Sequence, residues 1–192
     1  MEYVLLALSW ALFYTLHSFL ASPKLKRILR GKIGSAFKWY KLFYTVLSIV
    51  LLVGILLQSA LIPKITLIAK GSISEYLGYL FAGFGTIIAV KSSKKISLGN
   101  FFGLRPKVTL NQENLVISGI YSKIRHPMYA GLILIVLGYF FFSGSLTAAI
   151  QLACLLVYLP IGIYFEEKNL IELFGEEYKT YKSQVPAILP WI

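Results

Sequence analysis

Apolar and polar positions in this chain fall into long blocks rather than short alternations. Residues 3–20 are largely apolar, enough at about 1.5 Å per residue to cross a hydrocarbon core of roughly 30 Å. Leu42–Ile62, Ile73–Val90, Pro127–Phe142 and Leu146–Phe165 repeat the pattern. The reading is an all-α polytopic membrane protein with five transmembrane helices, of which Pro127–Phe142 is short for an untilted crossing. Pro63 closes the second span, and Pro127 sits where proline starts a helix without losing a needed N–H. Gly78, Gly83 and Gly85 in the third span would let a neighbouring helix approach closely, although Gly78 and Gly83 are not at GxxxG spacing. Ser143-Gly144-Ser145 is a short turn, so the last two spans form an antiparallel hairpin. Glu166 thereby returns to the membrane face from which His126 starts. Pro160 and Gly162 predict a kink in the last span. Beyond it Leu170, Phe174, Tyr178, Tyr181 and Val185 recur at helical spacing, with Gly175 as a break and Glu176-Glu177 opening a final short helix. These residues would lie on the membrane surface as a lid.

Composition supports the membrane reading: 57% of the 192 residues are hydrophobic and the mean hydropathy is +0.72. The net charge of +11 does not point to nucleic acid, because the cations lie between apolar runs and face lipid headgroups instead. Lys24–Lys41, read as a loop, holds seven of the 19 basic residues, and Lys91–Arg125 holds seven more beside a single acid, Glu113. By the positive-inside rule both face the cytoplasm, which gives an N-out, C-in topology. Within the second loop Phe101–Leu104 would dip into the interface, Asn111–Asn114 is turn-like, and a turn is expected at Gly119. The chain divides into a three-helix part, residues 1–90, and a part carrying the chemistry, residues 91–192, within one membrane-embedded domain. Cys154 is the only cysteine, so no disulfide framework or thiolate metal site is expected. With His17 and His126 as the only histidines and no aspartate, a metal centre is not expected either. No basic stretch precedes the first apolar run, and no cleaved leader is expected.

The candidate chemistry lies at Arg125-His126-Pro127-Met128-Tyr129. Here a basic segment runs into a proline-started helix, whose unpaired first-turn N–H groups and dipole, with Arg125 and His126, would form an anion pocket at the membrane surface. The same residues could instead snorkel at the foot of a span. Glu166 and Glu167 follow directly on an apolar helix, where a carboxylate wants a cationic partner or water; hydrated interfacial acids are the alternative. His17, near the end of the first span, reads as a packed or snorkelling residue.

Taken together, the turn at Gly119, Tyr121, the RHPMY motif, a helical hairpin, then Glu166-Glu167 and FGEEYKTY closely resemble the isoprenylcysteine carboxyl methyltransferase and phospholipid methyltransferase superfamily of integral membrane enzymes. The match covers roughly residues 110–190; His17-Ser18 followed by Ala-Ser-Pro-Lys is more weakly similar to the NnrU-type and thiol methyltransferase branches. The resemblance implies S-adenosyl-L-methionine bound in a pocket formed by cytosolic interfacial helices, and a lipophilic acceptor arriving from the bilayer. It assigns cofactor binding to Glu113, Asn114, Leu115, Val116, Tyr121, His126, Pro127, Met128, Tyr129 and Glu166. Arg125, His126 and Tyr129 are the catalytic candidates, Arg125 taking the methionyl carboxylate. The arginine that the isoprenylcysteine enzymes carry four residues before the glutamate is Gly162 here. The acceptor is therefore open among a prenylcysteine-like carboxylate, a thiol and a lipid amine. A non-catalytic membrane protein that binds a partner or anionic lipid through its basic loops is the competing reading. A transporter is a third, with no charge in mid-span to mark an ion path.

Overall fold

The structure, a computed structural model, describes residues 1–93 and 115–190. Glu113, Asn114 and the interfacial piece Phe101–Leu104 lie outside the described residues. Within them the chain is helical, and the only extended pairing is an isolated bridge between Thr66 and Ser145. Four stretches are long and apolar enough to cross a membrane: Glu2–Ala21, Pro23–Leu61, Ser72–Ser93 and Leu146–Phe174. Pro127–Ser143 is apolar but shorter. Leu57 at 62% and Val157 at 71% exposure exemplify apolar outer surfaces that water would not tolerate on this scale but lipid does. This is a multi-pass membrane protein.

The contacts divide the described chain into two compact units. The first, residues 1–63, holds α1 (Glu2–Ala21), α2 (Pro23–Ile33), a 3-10 turn (Gly34–Trp39) and α3 (Tyr40–Leu61). The α2 segment corrects the expectation of a loop over Lys24–Lys41. Ser22 caps it, its hydroxyl accepting from the Leu25 N–H at 3.3 Å, and Pro23 fills the first position. Leu25, Leu29 and Ile33 then make an apolar stripe at i, i+4, i+8 that the density of lysine and arginine conceals. Tyr40 ties α3 to α1 by donating to the Leu20 carbonyl at 2.8 Å. About one turn from that end, His17 meets Tyr44 (Oη to Nε2 2.7 Å) and Ser48 (3.2 Å) of α3, so its polar atoms are satisfied inside the helix pair.

The second unit, residues 64–93 and 115–190 as described, holds α4 (Ser72–Ser93), a 3-10 turn at Gly119–Ser122, α5 (Pro127–Ser143), α6 (Leu146–Phe174) and α7 (Glu176–Gln184). Here α4, the third expected span, packs with the C-terminal helices. Gly78 opposes Gly138 and Phe142, while Gly85 opposes Gly131 and Ile135, an antiparallel register with backbone against backbone. A Cβ on Gly85 would lie 2.6 Å from the Gly131 carbonyl oxygen, and one on Gly138 would lie 2.6 Å from the Ala82 nitrogen. Neither neighbour can yield.

The α5–α6 hairpin forms as expected. Gly144 takes the left-handed conformation that ends α5 (φ 59), where a residue with a side chain would be strained. Ser145 caps α6 by accepting from the Ala148 N–H. The 64–70 link is pinned beneath this turn by Leu67 and Leu146 N–H bonds to the Gly144 and Ile65 carbonyls, at 2.7 and 2.9 Å. The helix α6 continues through Pro160 and past the apolar stretch to Phe174, so Glu166 and Glu167 are carried on the same unbroken helix. Gly175 then breaks the chain and Glu176-Glu177 open α7, as the sequence suggests.

Candidate active site

The start of α5 and the end of α6 meet where the hairpin predicts, and the charged groups of both elements converge there. Pro127 is buried at the first position of α5, with His126 as the preceding residue. Facing it, Glu167 is 5% exposed and receives four contacts from basic side chains. Arg125 donates to its Oε1 through Nε at 2.9 Å and Nη2 at 2.7 Å, His126 Nε2 lies 3.2 Å from the same oxygen, and Lys182 Nζ reaches Oε2 at 2.7 Å. Burial alone would push this carboxyl up; Lys182, then Arg125 and His126, outweigh it and bring it down to about 2. A buried charge held this way is costly to break from either side.

Glu166 sits differently. Its side chain is 44% exposed and its Oε2 lies 3.5 Å from His126 Nδ1. Hydrogen bonds from His126 and Tyr129 hold its carboxyl below the usual range against the opposing effect of burial. The rings of His126 and Tyr129 stack at 5.5 Å and 17°. One imidazole thus bridges two glutamates, one sealed and one open.

Arg125 does not face a vacant anion pocket. Its Nη1 also donates to the Lys182 carbonyl at 2.9 Å and to that of Val185. The backbone N–H groups of Arg125 and His126 go to the carbonyls of Pro186 and Ala187, each at 2.8 Å. The segment after α7 is therefore laced to the start of α5, and the Arg125 guanidinium that the sequence reserves for an anion holds Glu167 and the chain's own C-terminal strap.

Around this knot, Tyr181 donates to the Tyr121 carbonyl at 2.6 Å, and Tyr121 reaches the Ser92 carbonyl at 3.4 Å. Ser92 in turn donates to the Met128 sulfur at 3.8 Å. The structure brings together Tyr121, His126, Pro127, Met128, Tyr129 and Glu166. Leu115 and Val116 lie half-buried in irregular chain before the Gly119 turn. Burial, with Glu166 nearby, pushes the Tyr121 phenol up; burial carries Tyr181 to about 12 against the pull of Arg125. Tyr178, 1% exposed, is raised by burial and by Glu167.

Sequence reasoning missed Glu167, Lys182 and the 185–187 strap as parts of the site. The signal was present in the cost of an acid at the end of an apolar helix, which demanded a cation; Arg125 and Lys182 are those cations.

Apolar-surfaced helices gathered on a knot of charged side chains at a helix start define a membrane protein whose described C-terminal unit concentrates its polar chemistry at one place. A model of the phospholipid methyltransferase family matches residues 73–177, more than half of the chain and all of this knot except Lys182 and the strap, and the chain belongs to that family. It is similar to methanethiol S-methyltransferase of Crocosphaera subtropica, 27% identical over 128 residues, 62% of this chain and 49% of that protein. Protein-S-isoprenylcysteine O-methyltransferase of Mus musculus is 30% identical over 161 residues, 80% of this chain and 53% of that protein. Methanethiol S-methyltransferase 2 of Bradyrhizobium diazoefficiens is 29% identical over 189 residues, 94% of this chain and 70% of that protein. The chain spans about half the length of the first two. No solved structure matches it.

Proposed function

We propose that this chain is an integral-membrane methyltransferase that takes its methyl group from S-adenosylmethionine and passes it to a lipophilic acceptor. The observation that carries the reading is the open carboxylate of Glu166, held by His126 and Tyr129 at the start of α5. Two motifs 40 residues apart supply one polar site at the end of apolar helices.

The residues present fit the cationic and hydroxyl-bearing parts of that cofactor. A half-exposed carboxylate kept ionised can accept from an ammonium or from ribose hydroxyls, and the His126–Tyr129 stack and Met128 offer an apolar and aromatic flank. When bound, the cofactor supplies an electrophilic methyl group on a sulfonium. The protein's part is alignment and exclusion of water, which proximity makes worth several kcal/mol, of order 7 or more in well-oriented cases. Arg125 acts as a positioning residue: through Glu167 and the strap it fixes His126, and His126 fixes Glu166. With a carboxylate near each ring nitrogen, His126 is placed to orient Glu166.

The relatives' names divide between a small thiol and an isoprenylcysteine. At Gly162, where the isoprenylcysteine enzymes carry arginine, the Tyr158 ring lies 3.3 Å from where a Cβ would be. Position 162 itself therefore supplies no cation to an acceptor carboxylate, which favours a thiol. We further read α5 as the fifth crossing. Its 17 residues reach only about 26 Å, but it pairs along α4 through the Gly78–Gly138 and Gly85–Gly131 contacts. The site then faces the cytoplasm.

Calorimetric titration of the purified chain with S-adenosylmethionine tests the reading. Wild type is expected to bind and Glu166→Gln to bind roughly tenfold or more weakly, the loss of one charged hydrogen bond. Wild type that does not bind overturns it. A methyl-transfer screen over thiol, prenylcysteine and lipid-amine acceptors then identifies the class.

A further inference from the structure

The 1–63 unit contains a feature that methyl transfer does not use. Where α1 ends and α3 begins, α2 and the 3-10 turn fold back to leave an open groove of about 500 Å³. Its walls are apolar and aromatic, among them Leu20, Leu25, Leu29, Ile33, Trp39 and Phe43. The groove is held open by its own frame. Tyr40 is bonded to the Leu20 carbonyl, Phe37 stacks on Tyr40 at 5.6 Å and 9°, and Lys38 lies over the Trp39 ring at 5.8 Å.

Cations surround this groove. Residues 23–41 carry seven of them, and the unit's described chain has one acid, Glu2, at the opposite end of α1. On a helix turning about 100° per residue, Lys26 and Lys32 flank the Leu25–Leu29–Ile33 stripe that lines the groove, Lys26 on the side of Lys41, whereas Lys24 and Arg27 project from the back. Lys26 is partly desolvated and feels the positive charge of Lys41, both of which push its ammonium below its ordinary value. Crowded cations beside an apolar slot make a surface that an anion with a hydrocarbon tail complements on both counts. Trp39 at the slot places it at interface depth.

We propose that the groove between α1, α2 and α3 holds one anionic phospholipid of the surrounding bilayer, an acyl chain against Leu25, Leu29 and Ile33 and its phosphate over Lys26 and Lys41. The lipid docks this end of the unit to the bilayer and is not the methyl acceptor.

The test uses the full chain with Trp10 and Trp191 replaced by phenylalanine, which leaves Trp39 as the only tryptophan. It is reconstituted in phosphatidylcholine vesicles containing a fixed fraction of either brominated phosphatidylglycerol or brominated phosphatidylcholine. Trp39 is expected to be quenched as if phosphatidylglycerol were enriched on the order of fivefold or more at the site, two lysines acting near the surface. Lys26→Gln with Lys41→Gln should abolish the preference, and Lys24→Gln with Arg27→Gln, removing equal charge from the back of α2, should keep most of it. Equal quenching by the two lipids would show an ordinary lipid-facing surface. Equal loss in both double variants would show diffuse polybasic attraction. Either result overturns the site.

Discussion

At the scale of single residues, two adjacent glutamates have opposite surroundings. Glu167 is sealed among Arg125, His126 and Lys182, while Glu166 keeps an open face. Their neutralisations should therefore separate. Glu167→Gln leaves the nearly buried Arg125 short of its partner and is expected to cost about 3 kcal/mol of stability, read as a lowered unfolding midpoint in detergent. Glu166→Gln should leave that midpoint nearly unchanged and act on cofactor affinity. The sealed pair also predicts a pH dependence. The folded carboxyl of Glu167 titrates at about 2 against an ordinary 4.5, so its contribution is complete above 4.5 and is lost as pH falls towards 2. Thermal unfolding between pH 6 and pH 3 should show wild type losing stability below 4.5, and Glu167→Gln losing less over the same range. Wild-type and variant curves of the same shape would remove Glu167 from the account. The sequence could place both acids at a membrane face and ask for cations. It could not say which acid turns inward, because that depends on the rotation of α6 about its axis against α5 and α7, and adjacent positions differ by about 100°.

At the scale of elements, the helices were legible where apolar blocks are long and their ends are marked by proline, glycine or serine. Pro127, Gly144, Ser145 and Gly175 each terminate or start a helix where expected. The α2 segment was not legible, since its charge density reads as a loop until Ser22 and Pro23 are taken as cap and first turn. The α4–α5 contact was partly legible. Gly78 and Gly85 lie two turns apart, as do Gly131 and Gly138, a seven-residue spacing that puts each pair on one face; attention to a four-residue spacing misses it. Gly138→Ala should cost about 1–3 kcal/mol, because the methyl meets backbone. Gly83→Ala, with nothing within 4 Å of its added Cβ, should be neutral or stabilising by up to about 1 kcal/mol. Unfolding in detergent by a chemical or thermal ramp distinguishes the two, and equal effects would mean that the glycines are not packing contacts.

At the scale of the whole molecule, charge and site constrain the orientation together. Both basic segments flank apolar helices, and the knot of Arg125, His126 and Glu167 lies at the end of α5 to which the second of them leads. If the knot is the proposed donor site, a water-soluble methyl donor has to reach it from the compartment in which that donor is made, and the positive-inside rule assigns the same side to both segments independently of any cofactor. Five crossings with the N-terminus outside satisfy both constraints. Four crossings, with α5 not spanning, would leave the apolar α5 without a hydrocarbon environment and would put Gly144 and the 64–70 link at different depths, although the Leu67 and Leu146 backbone bonds hold them together. Single cysteines introduced into a Cys154→Ser background should then divide into two classes. Lys32→Cys, Ser122→Cys and Ser183→Cys are expected to be labelled by an impermeant maleimide only after the membrane is opened, and Ser72→Cys, beside the α5–α6 turn, in intact cells. Labelling of Ser122→Cys in intact cells would put the knot outside, away from its proposed donor, and would overturn the topology and the methyltransferase reading together.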